Sequence, residues 1–312
     1  MRIAILDDYQ NVALSLADWD SLGAEITVFT DYIADEDALV RALAGFDVIV
    51  AMRERTRFGA DVLRRLPDLR LLVSTGPRNA AIDLVATADQ GIVVSATGYL
   101  SHPTAEHAWA LILAAARNLP AEEHAVREGG WQRGVGMSLR GKTLGVIGLG
   151  RLGSQVADIG KAFGMNVIAW SQNLTEARAA EQAVTAVSRS ELLSTADVVS
   201  IHLVLSRRSR GLLGAAELAL MKPGAILVNT SRGPIVDEAA LIDAVNQGRI
   251  RAALDVYDTE PLPAGHPLRR TKNTVLTPHI GYVADDLYRV FFTDAVEDIA
   301  AFAAGEPIRV ME

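Results

Sequence analysis

Four short segments hold residues whose types and spacing suit chemistry. Gly148-Leu149-Gly150-Arg151-Leu152-Gly153 has the G-x-G-x-x-G spacing of a dinucleotide cradle. In that arrangement Gly148 permits a tight turn, Gly150 lets backbone approach a pyrophosphate, and Gly153 lets the next helix pack against the preceding strand. The N–H groups of Arg151 and Leu152, at the helix start, would face the anion. The other three segments are Asn229-Thr230-Ser231-Arg232-Gly233, Asp255-Val256-Tyr257-Asp258-Thr259-Glu260-Pro261-Leu262-Pro263 and Thr277-Pro278-His279-Ile280-Gly281. An imidazole exchanges a proton near neutral pH. A carboxylate beside it favours its charged form, and a guanidinium fork matches a substrate carboxylate.

These segments need elements to bring them together. A glycine fingerprint alone is a weak signal, but here the strand Thr143–Ile147 precedes it and an apolar-periodic helix, Arg151–Phe163, follows. Each of the other three follows a predicted strand: Ile226–Asn229, Ala252–Val256 and Val275–Thr277. In an open α/β sheet ligands bind beyond the carboxyl ends of the strands, so Arg232, Glu260 and His279 can converge although far apart in sequence. That first strand has its apolar run at Leu144–Ile147; further strands are expected at Val167–Trp170 and Val198–His202, and an earlier series at Ile3–Leu6, Ile26–Phe29, Val48–Ala51, Leu71–Ser74 and Val93–Ser95. Helical spacing lies between them, as in Asp35–Ala44 and Ala60–Leu66. Ser101-His102-Pro103-Thr104 starts a helix running to about Arg117, which Asn118-Leu119-Pro120 stops; a closing helix covers Asp285–Ala304. The alternation predicts an α/β protein with two doubly wound parallel-sheet, Rossmann-like domains.

Composition narrows the function classes. The 312 residues carry a net charge of −8, which argues against a nucleic-acid partner. There is no cysteine, which removes thiol catalysis, disulfides and Cys-based metal sites. The longest apolar run, Ala108 to Ala116, is far short of the roughly 20 residues a membrane span needs. Met1-Arg2-Ile3-Ala4-Ile5-Leu6 meets Asp7 and Asp8 too soon for a secretory leader, so a cytoplasmic protein without a membrane partner is expected. No H-E-x-x-H and no acidic cluster suggests a metal, and Glu106 and His107 read as helix-packing and hydrogen-bonding residues.

The strand after the fingerprint helix should end in Asp or Glu if NAD is preferred. It ends Trp170-Ser171-Gln172-Asn173, and no acidic residue lies between Asp158 and Glu176. Ser171 takes the acid's place and does not repel a 2′-phosphate; Arg178 is the nearest following cation. The cofactor is therefore NADP or NAD, with NADP favoured.

The glycine fingerprint and the Arg, Glu and His segments, in this order and spacing, resemble the D-isomer-specific 2-hydroxyacid dehydrogenase family. The resemblance extends from Gly45-Phe46-Asp47 to the closing helix. It implies a substrate domain of 1–98 plus 286–312, a dinucleotide domain of 99–285 inserted into it, and a homodimer formed through the dinucleotide domains. It implies hydride transfer between a nicotinamide cofactor and a small 2-keto or D-2-hydroxy acid of the glyoxylate or hydroxypyruvate kind. His279 is then the acid/base, Glu260 its partner and Arg232 the substrate anchor. Asp255 matches the acid that contacts the nicotinamide carboxamide, Thr104 lies where the family approaches that ring, and Thr230 is a further cofactor-side residue. His202-Leu203-Val204-Leu205-Ser206 resembles the family's H-x-P-x-T on the adenine side, with Val and Ser replacing Pro and Thr.

Substrate contacts are expected from loops of the first domain, at Arg53 and at Thr75, Gly76 and Arg78, and from His102. The family's second loop is glycine-rich and binds a carboxylate through N–H groups. Here Pro77 has no N–H and Arg78 replaces a glycine, leaving Thr75 and Gly76 as the expected donors. Tyr282 stands where the family often has a small residue, which predicts a narrower pocket. An alternative on the same fold is a cofactor-sensing binding protein or corepressor, since fold does not fix function.

Overall fold

The computed structural model describes residues 1–311. The chain divides into two compact units, Met1–Leu100 with Val283–Glu312, and Ser101–Tyr282. The resemblance implies divisions at 98/99 and 285/286.

The first unit holds five parallel strands, β1 (Arg2–Ile5), β2 (Glu25–Val28), β3 (Val48–Ala51), β4 (Leu71–Ser74) and β5 (Val93–Ala96), in the order β2-β1-β3-β4-β5. β3 and β4 are buried at every residue, as expected of apolar parallel strands covered on both faces. Helices α1 (Ala13–Leu16), α2 (Glu36–Leu43), α3 (Ala60–Leu63) and α4 (Leu84–Asp89) connect them. Asp35 caps α2 by accepting from the Ala38 N–H at 2.8 Å, and Asp83 caps α4 in the same way. One face of the sheet packs on α2 and α3 through Leu39, Leu43, Val62 and Leu63. The closing helix, Asp285–Ala303, joins this unit and buries Phe291, Phe292 and Ile299; Phe292 meets Trp19 edge-on. After it, the chain adds an antiparallel bridge to β5, pairing Val310 with Ser95. Arg309 then reaches back to donate to the buried Asp298 at 2.8 Å.

The second unit has seven strands, β6 (Thr143–Ile147), β7 (Asn166–Trp170), β8 (Thr185–Ala186), β9 (Val198–Ile201), β10 (Ile226–Asn229), β11 (Arg251–Leu254) and β12 (Thr274–Leu276), ordered β12-β11-β10-β9-β6-β7-β8 and all parallel. Its helices are α5 (His102–Ala116), α6 (Leu119–Arg127), α7 (Arg151–Ala162), α8 (Glu176–Glu181), α9 (Arg189–Thr195), α10 (Ala215–Leu220) and α11 (Glu238–Asn246). Successive strand residues enter opposite cores. Val146, Val198 and Val228 face the side of α5 and α7, while Ile147, Val199 and Leu227 face α9, α10 and α11. Two doubly wound parallel sheets are therefore present, as the alternation predicts. One expectation fails locally: Asn118-Leu119-Pro120 ends α5 but immediately opens α6. Asn118 takes φ +54° and Pro120 sits in the first turn, where its missing N–H is not needed.

Candidate active site

The crossover from β6 to α7 forms at the middle of the second sheet, where the strand order reverses. Gly148 has φ +99°, and a Cβ there would lie 2.5 Å from the His202 carbonyl oxygen. A Cβ on Gly153 would lie 2.0 Å from the Gly148 carbonyl, so the first turn of α7 rests directly on the loop. At Gly150 a Cβ would meet nothing within 4 Å, which leaves its backbone approachable. Arg151 and Leu152 open α7, where helical N–H groups have no intrahelical acceptor. Nearby, His202 Nε2 is 2.9 Å from Ser200 Oγ, and burial drives its pKa down to about 4, so the ring is neutral. Buried His202 Nδ1 and Thr230 Oγ1 have no hydrogen-bond partner among the described residues. Ser171 follows β7 half-buried, and the Arg189 guanidinium lies over the adjoining Trp170 ring at 5.7 Å. A glycine turn facing a helix start, with orphaned polar atoms beside it, fits a dinucleotide.

The loops after β10, β11 and β12 lock together. Asn229 organises the first, accepting from the Ser231 N–H at 3.0 Å and donating to the Arg232 carbonyl at 2.9 Å. Arg232 turns one guanidinium N–H onto the Ser231 carbonyl at 2.7 Å. Gly233 then packs on the next loop so closely that a Cβ would sit 2.1 Å from the Tyr257 carbonyl carbon. Glu260 divides its two oxygens: Oε1 accepts from the Tyr257 N–H at 2.9 Å, and Oε2 lies 2.5 Å from His279 Nδ1. With Nδ1 donating to the carboxylate, a neutral His279 presents Nε2 as a base, and a protonated one presents it as an acid. His279 itself adopts φ +54°, unusual for a residue with a side chain. The Tyr282 ring stands edge-on to it, with centroids 5.5 Å apart.

Asp255 supports this loop from below. Its Oδ1 accepts from Thr277 Oγ1 at 2.6 Å and from the Ile280 N–H at 2.9 Å, and its Oδ2 accepts from the Gly281 N–H at 2.8 Å. His107 on α5 brings Nε2 to 3.2 Å from the same Oδ1. Burial would raise the carboxyl pKa, but the hydrogen bonds from His107, Thr277 and the Ile280 N–H, with the charge His107 can carry, hold it below the ordinary carboxylate range. Thr104 is buried one turn earlier on α5, and His102 is exposed at its start. The family resemblance gives Asp255 a cofactor contact; its geometry adds a second task, bracing the histidine loop.

In the first unit, the candidate substrate loops follow β3 and β4. Arg53 takes φ +53°, donates from its N–H to Thr75 Oγ1 at 2.8 Å, and sends its guanidinium to the Thr75 carbonyl at 3.0 Å. The guanidinium crosses over Gly76, which has φ +87°, and the loop is pinned by Asn79, donating to the Arg53 carbonyl at 2.6 Å. The two N–H groups expected to serve a ligand are already used. Thr75 N–H donates to Ala51 at 3.0 Å and Gly76 N–H to Thr97 Oγ1 at 2.7 Å. The reason is that the loop continues the strand ladder before turning, so its amides point inward. The Arg53 guanidinium lies over the same loop, and Arg78 is exposed.

No group of three or more His, Asp or Glu side chains suited to a metal occurs among the described residues. Among the described residues no helix is long and apolar enough to cross a membrane.

A sequence profile of the D-isomer specific 2-hydroxyacid dehydrogenase NAD binding domain matches residues 109–281. The chain is 43% identical over 261 residues to the glyoxylate reductase of Aeropyrum pernix, a match covering 80% of this chain and 78% of that protein. It is 40% identical over 291 residues to the D-3-phosphoglycerate dehydrogenase of Archaeoglobus fulgidus. That match covers 92% of this chain but only 55% of the relative, so the chain spans little more than half that protein's length. Among solved structures, the phosphoglycerate oxidoreductase of Vibrio cholerae o395 is similar with a TM-score of 0.94 at 37% identity, covering 98% of this chain and 99% of that one.

Proposed function

Because the chain belongs to the D-isomer-specific 2-hydroxyacid dehydrogenase family, we propose that it interconverts a small 2-keto acid and its D-2-hydroxy acid, with NAD(P)H as the reductant. The observation that carries this reading is the 2.5 Å contact between Glu260 Oε2 and His279 Nδ1. It fixes the tautomer and leaves Nε2 to serve the substrate oxygen. A nicotinamide held there would supply or accept the hydride at the substrate C2. In reduction, protonated His279 gives its Nε2 proton to the carbonyl oxygen as the C2–H bond forms; in oxidation, neutral Nε2 takes the hydroxyl proton. Arg232 holds the substrate carboxylate and polarises the adjoining carbonyl, its fork aimed by the bond to the Ser231 carbonyl. Gly148, Gly150 and Gly153, with the start of α7, would hold the pyrophosphate, and His202, Thr230, Asp255 and Thr104 would line the remainder of the cofactor site.

We infer a preference for NADP, because Ser171 stands where a carboxylate would select the ribose hydroxyl and repel a phosphate. The substrate is a short 2-keto acid of the glyoxylate or hydroxypyruvate kind, a reading supported by relatives named glyoxylate reductase and D-3-phosphoglycerate dehydrogenase. Arg53 is its charged contact in the first unit, with Arg78 and His102 as further contacts. The active species is a homodimer joined through the second unit, whose segment 119–135 exposes Leu119, Val126, Trp131 and Val135, the last two by 72% and 96%. The test is loss of 340 nm absorbance with a panel of 2-keto acids and each reduced cofactor. Turnover of at least one acid with a higher kcat/KM for NADPH is expected. Cofactor binding without turnover of any acid would replace the enzyme with a cofactor sensor, and a clear NADH preference would overturn the assignment of Ser171.

A further inference from the structure

We propose that His107 is a positioning residue for the acid/base loop, acting on His279 through Asp255 and Thr277; the proposal rests on the role of His279 given above. The loop needs such support. His279 sits at φ +54°, a left-handed conformation that residues with a Cβ rarely adopt. Asp255 grips the chain on both sides of this position, through the Thr277 hydroxyl before it and the Ile280 and Gly281 N–H groups after it. The carboxylate is only 1% exposed, and such a charge must itself be compensated.

His107 supplies that compensation from α5, which packs across β10, β11 and β12. Its Nε2 lies 3.2 Å from Asp255 Oδ1 and 3.1 Å from Thr277 Oγ1. The Thr277 proton is already committed to Asp255 at 2.6 Å, so the hydroxyl oxygen and the carboxylate can only accept from His107. Nε2 must therefore carry a proton, and the ring is a donor in either charge state. A Cβ on Gly281 would come within 3.6 Å of His107 Cδ2 and 3.0 Å of Asp255 Oδ2, so the ring also backs the glycine that lets the loop close on the carboxylate. His107 touches neither the Glu260 carboxylate nor His279. Its effect passes through the one carboxylate that fixes the histidine's backbone, and so it should bear on the geometry of proton transfer and leave affinity for the keto acid alone.

The test compares H107L, which removes the donor at similar volume, with H107Q, whose amide N–H reaches toward the same oxygen. On the whole protein, H107L is expected to lower kcat about 30- to 100-fold, as a misplacement near 1 Å does, with KM for the keto acid within about threefold. H107Q is expected to recover kcat to within about fivefold of wild type. Unchanged kcat in H107L, a KM that rises as far as kcat falls, or an H107Q variant no better than H107L each overturns the proposal. If H107L does not fold, H107Q and H107N decide it: equal loss of kcat in both, although asparagine is too short to reach Asp255, refutes it. H279Q, assayed in parallel, separates the two ideas. Retained turnover there removes the acid/base reading itself, whereas an inactive H279Q beside a fully active H107L removes only the positioning role.

Discussion

Replacing Gly233 by alanine tests the packing that sets Arg232 against the Glu260 loop. The new methyl carbon would stand 2.1 Å from the Tyr257 carbonyl carbon, 2.3 Å from its oxygen and 2.6 Å from the Asp258 nitrogen. Those atoms are backbone and cannot swing aside. Carbon atoms rest about 3.5 Å apart or more, so one loop must retreat by roughly 1.4 Å. Arg232 is joined to Gly233 and Glu260 is tied to the Tyr257 N–H, so the retreat separates the anchor from the acid/base pair. A displacement near 1 Å in a reacting constellation costs about 100-fold in rate, and overpacking costs about 1–3 kcal/mol in stability. G233A is therefore expected to lose about 100-fold or more in kcat with the best keto acid of the panel, and to melt several degrees lower. NADPH binding, followed by intrinsic tryptophan fluorescence, should change little, because the glycine turn of α7 lies elsewhere in the sheet. The control is G265A, where a Cβ meets nothing within 4 Å and full activity is expected. If G233A keeps kcat within threefold of wild type at an unchanged melting temperature, the claim that this contact positions Arg232 is wrong.

Gly150→Ala places its methyl where no protein atom lies within 4 Å, so the ligand-free melting temperature should hold while KM for NADPH rises at least about tenfold by obstruction of the pyrophosphate; a normal KM would move the cofactor elsewhere. H279Q should lose about 10²- to 10⁴-fold in kcat with NADPH still bound, and R232K should remain far below wild type because an ammonium cannot replace the fork; near-normal turnover in either removes the assigned role. His202 links stability to acid. Its folded pKa of about 4 lies below the ordinary ~6.5, so the unfolded chain binds the extra proton between those values. The stabilisation is complete above pH ~6.5 and falls as pH drops toward 4, by about 3 kcal/mol. Urea midpoints of wild type and H202N at pH 7 and 4.5 should therefore converge in acid, and parallel behaviour would show that the ring is not held neutral. Trp131→Glu should shift the mass measured by light scattering from dimer to monomer; an unchanged dimer would place the interface on another face.

Much of this arrangement is legible in the sequence because it is local. The glycine fingerprint is six consecutive residues whose conformational needs are set by covalent geometry, and each reactive loop directly follows an apolar strand. What escapes is what depends on distant partners. His107 looks like one more residue of a packed helix, since Asp255 and Thr277 lie far along the chain and nothing in Glu106-His107-Ala108 announces them. Thr75 and Gly76 read as available donors because the sequence does not reveal Thr97 behind the loop or the continued pairing with Ala51. The helix α6 is hidden by Pro120, which reads equally as a stop and as a start. The two residues of β8 and the bridge of Val310 to Ser95 are too short to carry any periodic signal.

The bridge between Val310 and Ser95, and the closing helix before it, have a consequence for synthesis. Met1–Leu100 leaves the ribosome with the face of its sheet that takes the closing helix still bare, because that cover follows only after the whole of Ser101–Tyr282. The segment Ser101–Tyr282 has both of its own cores and can settle at once. The inserted unit can thus be finished before the unit whose two segments flank it.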